Sequence, residues 1–208
     1  GLRAGTTPEV TGAPGRPSAG TPRCRIVRGE GVRVRSADRT GEVLLPEPKA
    51  TVAAIRGGTL AVAAGASPGT YRLRVFEGDR LLCEAALESM AVSLAFHPDR
   101  AEIAVGGGGR VDAFAYPSGA RLWGRTVQGS AHVAFDPRGR YLHVVHGESL
   151  TILSPDTGAE LALLSAHRSA SLAIAASPDG ALLVTGGTRG EIWVWEVLGE
   201  DPAPRGAP

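Results

Sequence analysis

One short motif in the sequence is typical of hydrolase active sites. Residues 65–69 read Gly-Ala-Ser-Pro-Gly, which matches the G-x-S-x-G pattern of nucleophile elbows. That elbow needs a helix after the serine, and its oxyanion hole uses the N–H of the next residue. Here the next residue is Pro68, which has no N–H, and a strand pattern follows it. The sequence therefore predicts a hairpin turn rather than a nucleophile.

A second motif, four consecutive glycines at 106–109, resembles a phosphate-binding loop. Such loops open a helix whose N-terminus faces the anion. The residues that follow are Val-Asp-Ala-Phe-Ala-Tyr, which is a strand pattern. We therefore predict a tight turn between two strands at this position.

Histidines and acidic residues are the remaining candidates for metal or acid–base chemistry. His143 and His146 are three residues apart on or beside one predicted strand, so their side chains tend to point to opposite faces. Asp99, Asp136 and Asp179 recur in the same turn of a repeated pattern, where aspartate favours the turn itself. We predict no catalytic residue, no metal site and no cofactor.

Composition limits the classes of function that remain. The chain has 208 residues, of which 43% are hydrophobic, so it can bury a substantial core. A net charge of +1 without a basic stripe argues against nucleic acid as a partner. No apolar run approaches the length of about 18 residues that a membrane span needs, and no signal-peptide pattern opens the chain. We expect no membrane insertion in this segment and a cytoplasmic location, and the arginine-heavy, Ala/Gly-rich composition favours a bacterial source.

Glycines and prolines recur at a regular interval, which indicates internal repeats. Successive marker glycines are separated by 36, 41, 41 and 40 residues, and lie at Gly29, Gly65, Gly106, Gly147 and Gly187. Three turn prolines follow the same interval, at Pro98, Pro137 and Pro178. A sustained period of about forty residues is typical of repeat architectures.

Each repeat reads as four short strands, which predicts a fold made of small antiparallel sheets. Between residues 132 and 164 the strands are His-Val-Ala-Phe, Arg-Tyr-Leu-His-Val-Val, Leu-Thr-Ile-Leu and Glu-Leu-Ala-Leu-Leu. In the segment 192–197, Ile-Trp-Val-Trp-Glu-Val, both faces are largely apolar, so neighbouring sheets must cover them. We predict an all-β β-propeller of about five four-stranded blades over residues 23–198. Residues 1–22 are predicted to form a flexible Pro/Gly-rich linker, and 199–208 a disordered tail.

Residues 166–197 resemble a WD40 repeat. Ala166-His167 stands where that family has Gly-His, Ser-Pro-Asp-Gly follows at the expected distance, and Trp195-Glu196 replaces Trp-Asp. The resemblance implies a hydrogen-bonded set that includes His167, Thr185 and Trp195. Because Arg189 occupies the place of the family's aspartate, we expect this set to be incomplete or absent. Apolar packing would then hold the blade together, and replacing His167 with alanine would cost little stability.

The resemblance also implies a function. WD40 propellers commonly bind protein partners at the end of the ring that carries the turns between second and third strands. In this chain that end would hold Arg110, Glu148, Arg168 and Arg189, and three arginines there could bind an acidic peptide. We predict a non-catalytic scaffold for protein–protein interaction. Two alternatives stay open: an enzymatic propeller with a site on the central axis, and a ligand-sensing module joined to a signalling domain.

The strand count suggests that the chain is part of a larger ring. The predicted strands group as three, four, four, four and three, whereas WD40 rings most often have seven blades. The last blade lacks an outer strand, and residues 8–12, Pro-Glu-Val-Thr-Gly, offer only a poor one. An open arc would expose apolar faces, so we expect the chain on its own to self-associate.

Overall fold

The described part of the protein is built from β-strands alone. The computed structural model describes residues 2–4, 23–27, 30–35, 42–47, 49–165 and 167–197, and within these ranges every regular element is a strand. Accordingly, nothing in these ranges forms a helix able to cross a membrane. The prediction of an all-β fold is confirmed.

The strands form four antiparallel sheets. The first sheet contains β2 (Arg23–Val27), β3 (Gly31–Arg35) and β4 (Glu42–Leu45). The second contains β5 (Ala50–Arg56), β6 (Thr59–Ala64), β7 (Arg72–Glu77) and β8 (Arg80–Ala86). The third contains β9 (Ala91–Phe96), β10 (Glu102–Ala115), β11 (Arg121–Phe135), β12 (Leu142–His146), β13 (Ser149–Leu153) and β14 (Glu160–Ser165). The fourth, which we call the last sheet, contains β15 (Ser171–Ala176), β16 (Leu182–Gly187), β17 (Ile192–Val197) and β1 (Leu2–Ala4).

The six-stranded third sheet contains two successive sequence repeats. Strand β10 folds back on itself, because the N–H of Tyr116 donates to the carbonyl of Ala101 at 2.9 Å, whereas 14 extended residues would span about 46 Å. The reversal lies near Gly109, which has a φ of +77°. The predicted glycine turn is therefore present. Strand β11 pairs with β10 through its first half and with β12 through its second half, and so joins the two repeats. The number of blades stays a prediction.

The core lies between successive repeats, and one of its clusters, which includes Val111, Val133 and Val144, lies within the third sheet because that sheet contains two repeats. Val32 of the first sheet packs with Val62 and Phe76 of the second. Leu73 and Val75 of the second sheet pack with Ile103 of the third. A further cluster joins the third sheet to the last sheet and consists of Val145, Leu150, Leu183 and Trp195. Sheets covered on both faces are what the apolar strand patterns predict.

The last sheet departs from this arrangement, because the described residues cover only one of its faces. Trp193 and Trp195 point toward the third sheet, and Trp195 is buried. Ile192 points the other way and is 63% exposed. The expected alternation along β17 is therefore present, but the expected cover on both faces is not.

The three turn prolines occupy equivalent places. In each repeat, the N–H of the residue before the proline donates to a carbonyl five positions later, and these bonds measure 2.9 to 3.0 Å. The pairs are His97 with Glu102, Asp136 with Tyr141, and Ser177 with Leu182. Each turn joins a first strand to a second strand, so the prediction made from the period is confirmed.

Polar contacts between repeats reinforce the apolar core. His97 Nδ1 accepts the N–H groups of Asp99 and Arg100, and His97 Nε2 lies 3.1 Å from the carbonyl oxygen of Gly139. Gly139 belongs to the equivalent turn of the next repeat. The Thr51 hydroxyl likewise donates to the carbonyl of Ala91, forty residues further along the chain, at 2.9 Å.

The last sheet has an outer strand, and the chain's N-terminal segment supplies it. Strand β1 pairs antiparallel with β17, placing Leu2 opposite Val197 and Ala4 opposite Trp195. This strand falls within residues 1–22, for which the sequence predicts a linker, and it corrects the expectation that the last blade lacks an outer strand. Residues 8–12, considered for that role, lie outside the described residues, as does the predicted tail.

Candidate functional site

The candidate site is an open pocket on the last sheet, and four side chains line it: Arg168, Arg189, Glu191 and Trp193. Arg168 lies in the connection from β14 to β15, and Arg189 lies in the turn from β16 to β17. The structure thus brings together two of the four residues predicted at this end of the ring.

A buried hydrogen-bonded set anchors the connection that carries Arg168. The Nε1–H of Trp195 donates to Thr185 Oγ1 at 3.0 Å, and His167 Nε2 lies 2.9 Å from the same oxygen. All three side chains are buried. The N–H of His167 also donates to the carbonyl of Glu148 at 3.0 Å. Arg168 therefore follows a residue that is fixed through both its backbone and its side chain.

Glu191 supplies the carboxylate for which the resemblance predicts an aspartate at position 189. Its Oε1 accepts the hydroxyl of Ser169 and lies 3.9 Å from His167 Nδ1, which has no hydrogen-bond partner. Its Oε2 accepts the backbone N–H of Arg189 at 3.1 Å. Of the two outcomes expected from the sequence, an incomplete set or an absent one, the structure shows the incomplete set, in which His167 and Trp195 both contact Thr185. The set lacks only a direct bond from carboxylate to imidazole.

These contacts also change the protonation of the two groups. Burial lowers the pKa of His167, and the nearby Glu191 carboxylate opposes that effect to a smaller extent. The hydrogen bond from Ser169 lowers the pKa of Glu191. At neutral pH the site therefore combines a neutral imidazole with an ionised carboxylate.

The two arginine side chains of the pocket carry uncompensated charge. Within the described residues, neither guanidinium has a carboxylate within ion-pair distance, and both residues are exposed. Trp193 is half-buried and stacks on Trp195, with ring centroids 5.9 Å apart and an angle of 27° between the planes. The pocket therefore combines two cationic groups with the carboxylate of Glu191 and one aromatic wall.

Arg110, which the sequence groups with these arginines, is neutralised by its neighbours. Two of its guanidinium nitrogens donate to Asp112, at 3.2 and 3.0 Å, and a third lies 2.8 Å from Glu88. Arg121 contacts the same two carboxylates, at 2.7 Å each. Sequence reasoning missed this cluster, although Arg110 and Asp112 are two residues apart and therefore share one face of a strand. The side chain of Glu148 is exposed and, among the described residues, has no ion-pair partner.

The Gly-Ala-Ser-Pro-Gly motif lies in a turn, as the sequence predicts, and His143 and His146 lie on β12. The motif at 65–69 is closed by the residue that follows it. The hydroxyl of Thr70 accepts the N–H of Ser67 and donates to the carbonyl of Ser67, which closes the turn between β6 and β7. His143 is buried, and His146 Nε2 lies 2.9 Å from Thr151 Oγ1. Across the described ranges, no group of three His, Cys, Asp or Glu side chains could hold a metal ion.

Comparison with known proteins identifies the repeat. Residues 158–196 match the family model described as "WD domain, G-beta repeat". This match covers the part of the chain that contains His167, Thr185 and Trp195, and it confirms the resemblance seen in the sequence. No curated protein matches the chain.

Solved structures share the fold. A chain of the structure titled "Crystal Structure of Mitotic Checkpoint Complex" superposes with a TM-score of 0.68 at 18% identity, covering 82% of this chain and 57% of that one. The computationally designed Ika8 protein superposes with a TM-score of 0.68 at 17% identity, covering 84% of this chain and 55% of that one. The designed Ika4 protein superposes with a TM-score of 0.60 at 18% sequence identity, covering 71% of this chain and 90% of that one. These likenesses support a propeller-like fold, and the chain spans little more than half the length of the first two structures.

Proposed function

We propose that this chain is a non-catalytic scaffold that binds an acidic segment of a protein partner through Arg168 and Arg189. WD40-type propellers generally serve as protein-interaction scaffolds, which supports the class of function. The observation that carries the proposal is the pair of uncompensated guanidinium groups beside Trp193, in contrast to Arg110, whose charge is already balanced.

The loops that carry these arginines are fixed before any partner binds. The turn of Arg189 is closed by bonds from its own N–H to Glu191 and from the N–H of Thr188 to the carbonyl of Ala170, at 3.1 and 2.9 Å. A fixed backbone reduces the entropy lost on binding. Each guanidinium can then donate two parallel hydrogen bonds to a carboxylate, which lysine cannot do.

The aromatic wall adds a requirement on the partner. Trp193 keeps one side against Trp195 and leaves part of its surface open to the pocket. A partner segment that places an apolar side chain next to its acidic residues would cover this surface. Glu191 and Glu148 on the same rim would repel additional acidic residues, so the charge on the partner must lie opposite the arginines.

The test uses a fluorescein-labelled peptide of alternating glutamate and leucine as a probe, followed by anisotropy. Arg168→Glu combined with Arg189→Glu should weaken binding by more than about tenfold, and added salt should weaken binding to the unaltered protein. The matched control is Arg80→Glu, an exposed arginine at the start of β8 in the second sheet. Equal binding by the double variant and the unaltered protein would contradict the proposal.

A further inference from the structure

A carboxylate and two guanidinium groups share the pocket of the last sheet, yet among the described residues they form no ion pair. Glu191 lies two positions after Arg189, and both line the pocket together with Arg168. The same spacing separates Arg110 from Asp112, and there the guanidinium donates to the carboxylate at 3.2 and 3.0 Å. Because opposite charges this close along the chain attract each other, other contacts must hold the Glu191 carboxylate back.

The Glu191 carboxylate is held by two hydrogen bonds that do not involve a guanidinium group. Its Oε1 accepts the hydroxyl of Ser169, and its Oε2 accepts the backbone N–H of Arg189 at 3.1 Å. The same N–H lies 3.4 Å from Ser169 Oγ. Ser169 is 7% exposed, so its hydroxyl has little access to water as an alternative partner. Ser169 therefore contacts both the carboxylate and the turn that carries Arg189.

Gly187 provides the space in which this carboxylate and this hydroxyl meet. A Cβ at position 187 would lie 2.6 Å from Oε1 of Glu191 and 2.8 Å from Oγ of Ser169. Only a residue without a Cβ permits so close an approach. Both atoms are the ends of side chains that can rotate, so a larger residue at 187 would displace the carboxylate before it displaced the strand.

We infer that Ser169 is a positioning residue, which keeps the pocket open by holding the Glu191 carboxylate away from the two arginine side chains. Without this hydroxyl, the carboxylate loses a charge-assisted hydrogen bond and pairs with a guanidinium group instead. The pocket is then neutralised from within, as Arg110 already is by its neighbours. The inference rests on the proposed function, because a neutralised pocket no longer attracts an acidic partner segment.

Anisotropy with the fluorescein-labelled glutamate–leucine peptide tests the effect on binding. Ser169→Ala should weaken binding by about fivefold, because the released carboxylate competes with the peptide for the arginines. Gly187→Ala should weaken it by a similar factor, through loss of space rather than loss of a donor. The matched control is Ser171→Ala, which removes a buried hydroxyl two positions away that has no hydrogen-bond partner among the described residues. This control should bind like the unaltered protein.

A second background separates this role from a merely structural one. Glu191→Gln removes the competing charge and should tighten peptide binding. In that background Ser169→Ala should have no further effect, because no carboxylate remains to be released. An equal loss of binding in both backgrounds would overturn the inference, since the hydroxyl would then support the fold. Ser169→Ala binding as tightly as the unaltered protein would overturn it as well.

The titration of Glu191, followed by NMR of its side-chain carboxyl carbon, needs no peptide. In the unaltered protein the hydrogen bond from Ser169 lowers the pKa of Glu191, so replacing Arg168 and Arg189 with glutamine should change that pKa little. In Ser169→Ala the same two replacements should raise the pKa, because the guanidinium groups would then stabilise the ionised carboxylate. An unaltered protein that binds no peptide would contradict the proposed function alone. A Glu191 pKa that is insensitive to the arginines in Ser169→Ala would overturn the inference about Ser169.

Discussion

Replacing His143 with leucine is expected to make the fold less sensitive to acid, because this imidazole lies between the third sheet and the last sheet. His143 is on β12, is 3% exposed, and lines a narrow crevice with Leu183 and Ala176. Burial lowers its pKa from 6.5 to about 4, while the Asp136 carboxylate raises it by a smaller amount. Protonation of this side chain therefore opposes folding.

The size of the effect follows from the difference in proton binding between the two states. The unfolded chain takes up a proton near its ordinary pKa, whereas the folded chain resists protonation until about pH 4. The stability that depends on a neutral His143 is complete above pH 6.5 and is lost as the pH falls from 6.5 toward 4. At pH 5 the loss from His143 alone amounts to about 2 kcal/mol.

Urea unfolding at about pH 7.5 and pH 5 measures this directly. His143→Leu should match the unaltered protein within about 1 kcal/mol at the higher pH, since Nδ1 of His143 has no hydrogen-bond partner to lose. At the lower pH it should be the more stable of the two by about 2 kcal/mol. His143→Gln, which keeps a neutral polar side chain, is the control and should show the same reduced pH dependence. If all three proteins lose equal stability between the two values, the imidazole is hydrated in the folded state and the reasoning fails.

Two further predictions concern the last sheet and a glycine contact, and urea unfolding measures both. Trp195→Ala should cost roughly 3–5 kcal/mol through lost packing, and His167→Ala about 1–3 kcal/mol, because Thr185 loses a buried partner. A cost near zero for His167→Ala would restore the expectation made from the sequence. Gly158→Ala should cost roughly 2–4 kcal/mol, since φ is +68° and a Cβ would lie 2.5 Å from the ring of Trp123. Gly190→Ala, with φ of +81° and no atom within 4 Å, should cost only about 1–2 kcal/mol, and equal costs would argue against the contact.

The fold could be predicted from the sequence because its signals are local and repeated. The prolines at 98, 137 and 178 fix turns through their own restricted φ, and the alternation of Ile192 with Trp193 follows from the two-residue period of a strand. These signals need no knowledge of distant residues. These local signals predict the all-β fold, the positions of the turns and which face of β17 points inward.

The candidate site was less predictable because it depends on how far side chains reach. Glu191 supplies a carboxylate two positions away from the place where the family pattern expects one, and a pattern of positions does not encode that reach. Arg110 was grouped with Arg168 and Arg189 by location alone, although Glu88 from another connection neutralises it. Strand β1 is only three residues long, Leu-Arg-Ala, and carries no period that a sequence could reveal.

The pairing of β1 with β17 has a consequence for how the chain folds. Each of the other sheets joins strands that follow one another in sequence, so each can form with short loops soon after its residues are synthesised. The pairing of Leu2 with Val197 instead closes a loop that contains nearly every other described residue. The conformational entropy of this loop is therefore lost only when β1 and β17 pair. During synthesis β1 emerges before the other described strands and stays unpaired until β17 has left the ribosome. Among the described sheets, the last sheet is therefore the one that cannot be completed until the chain has been made through to Val197.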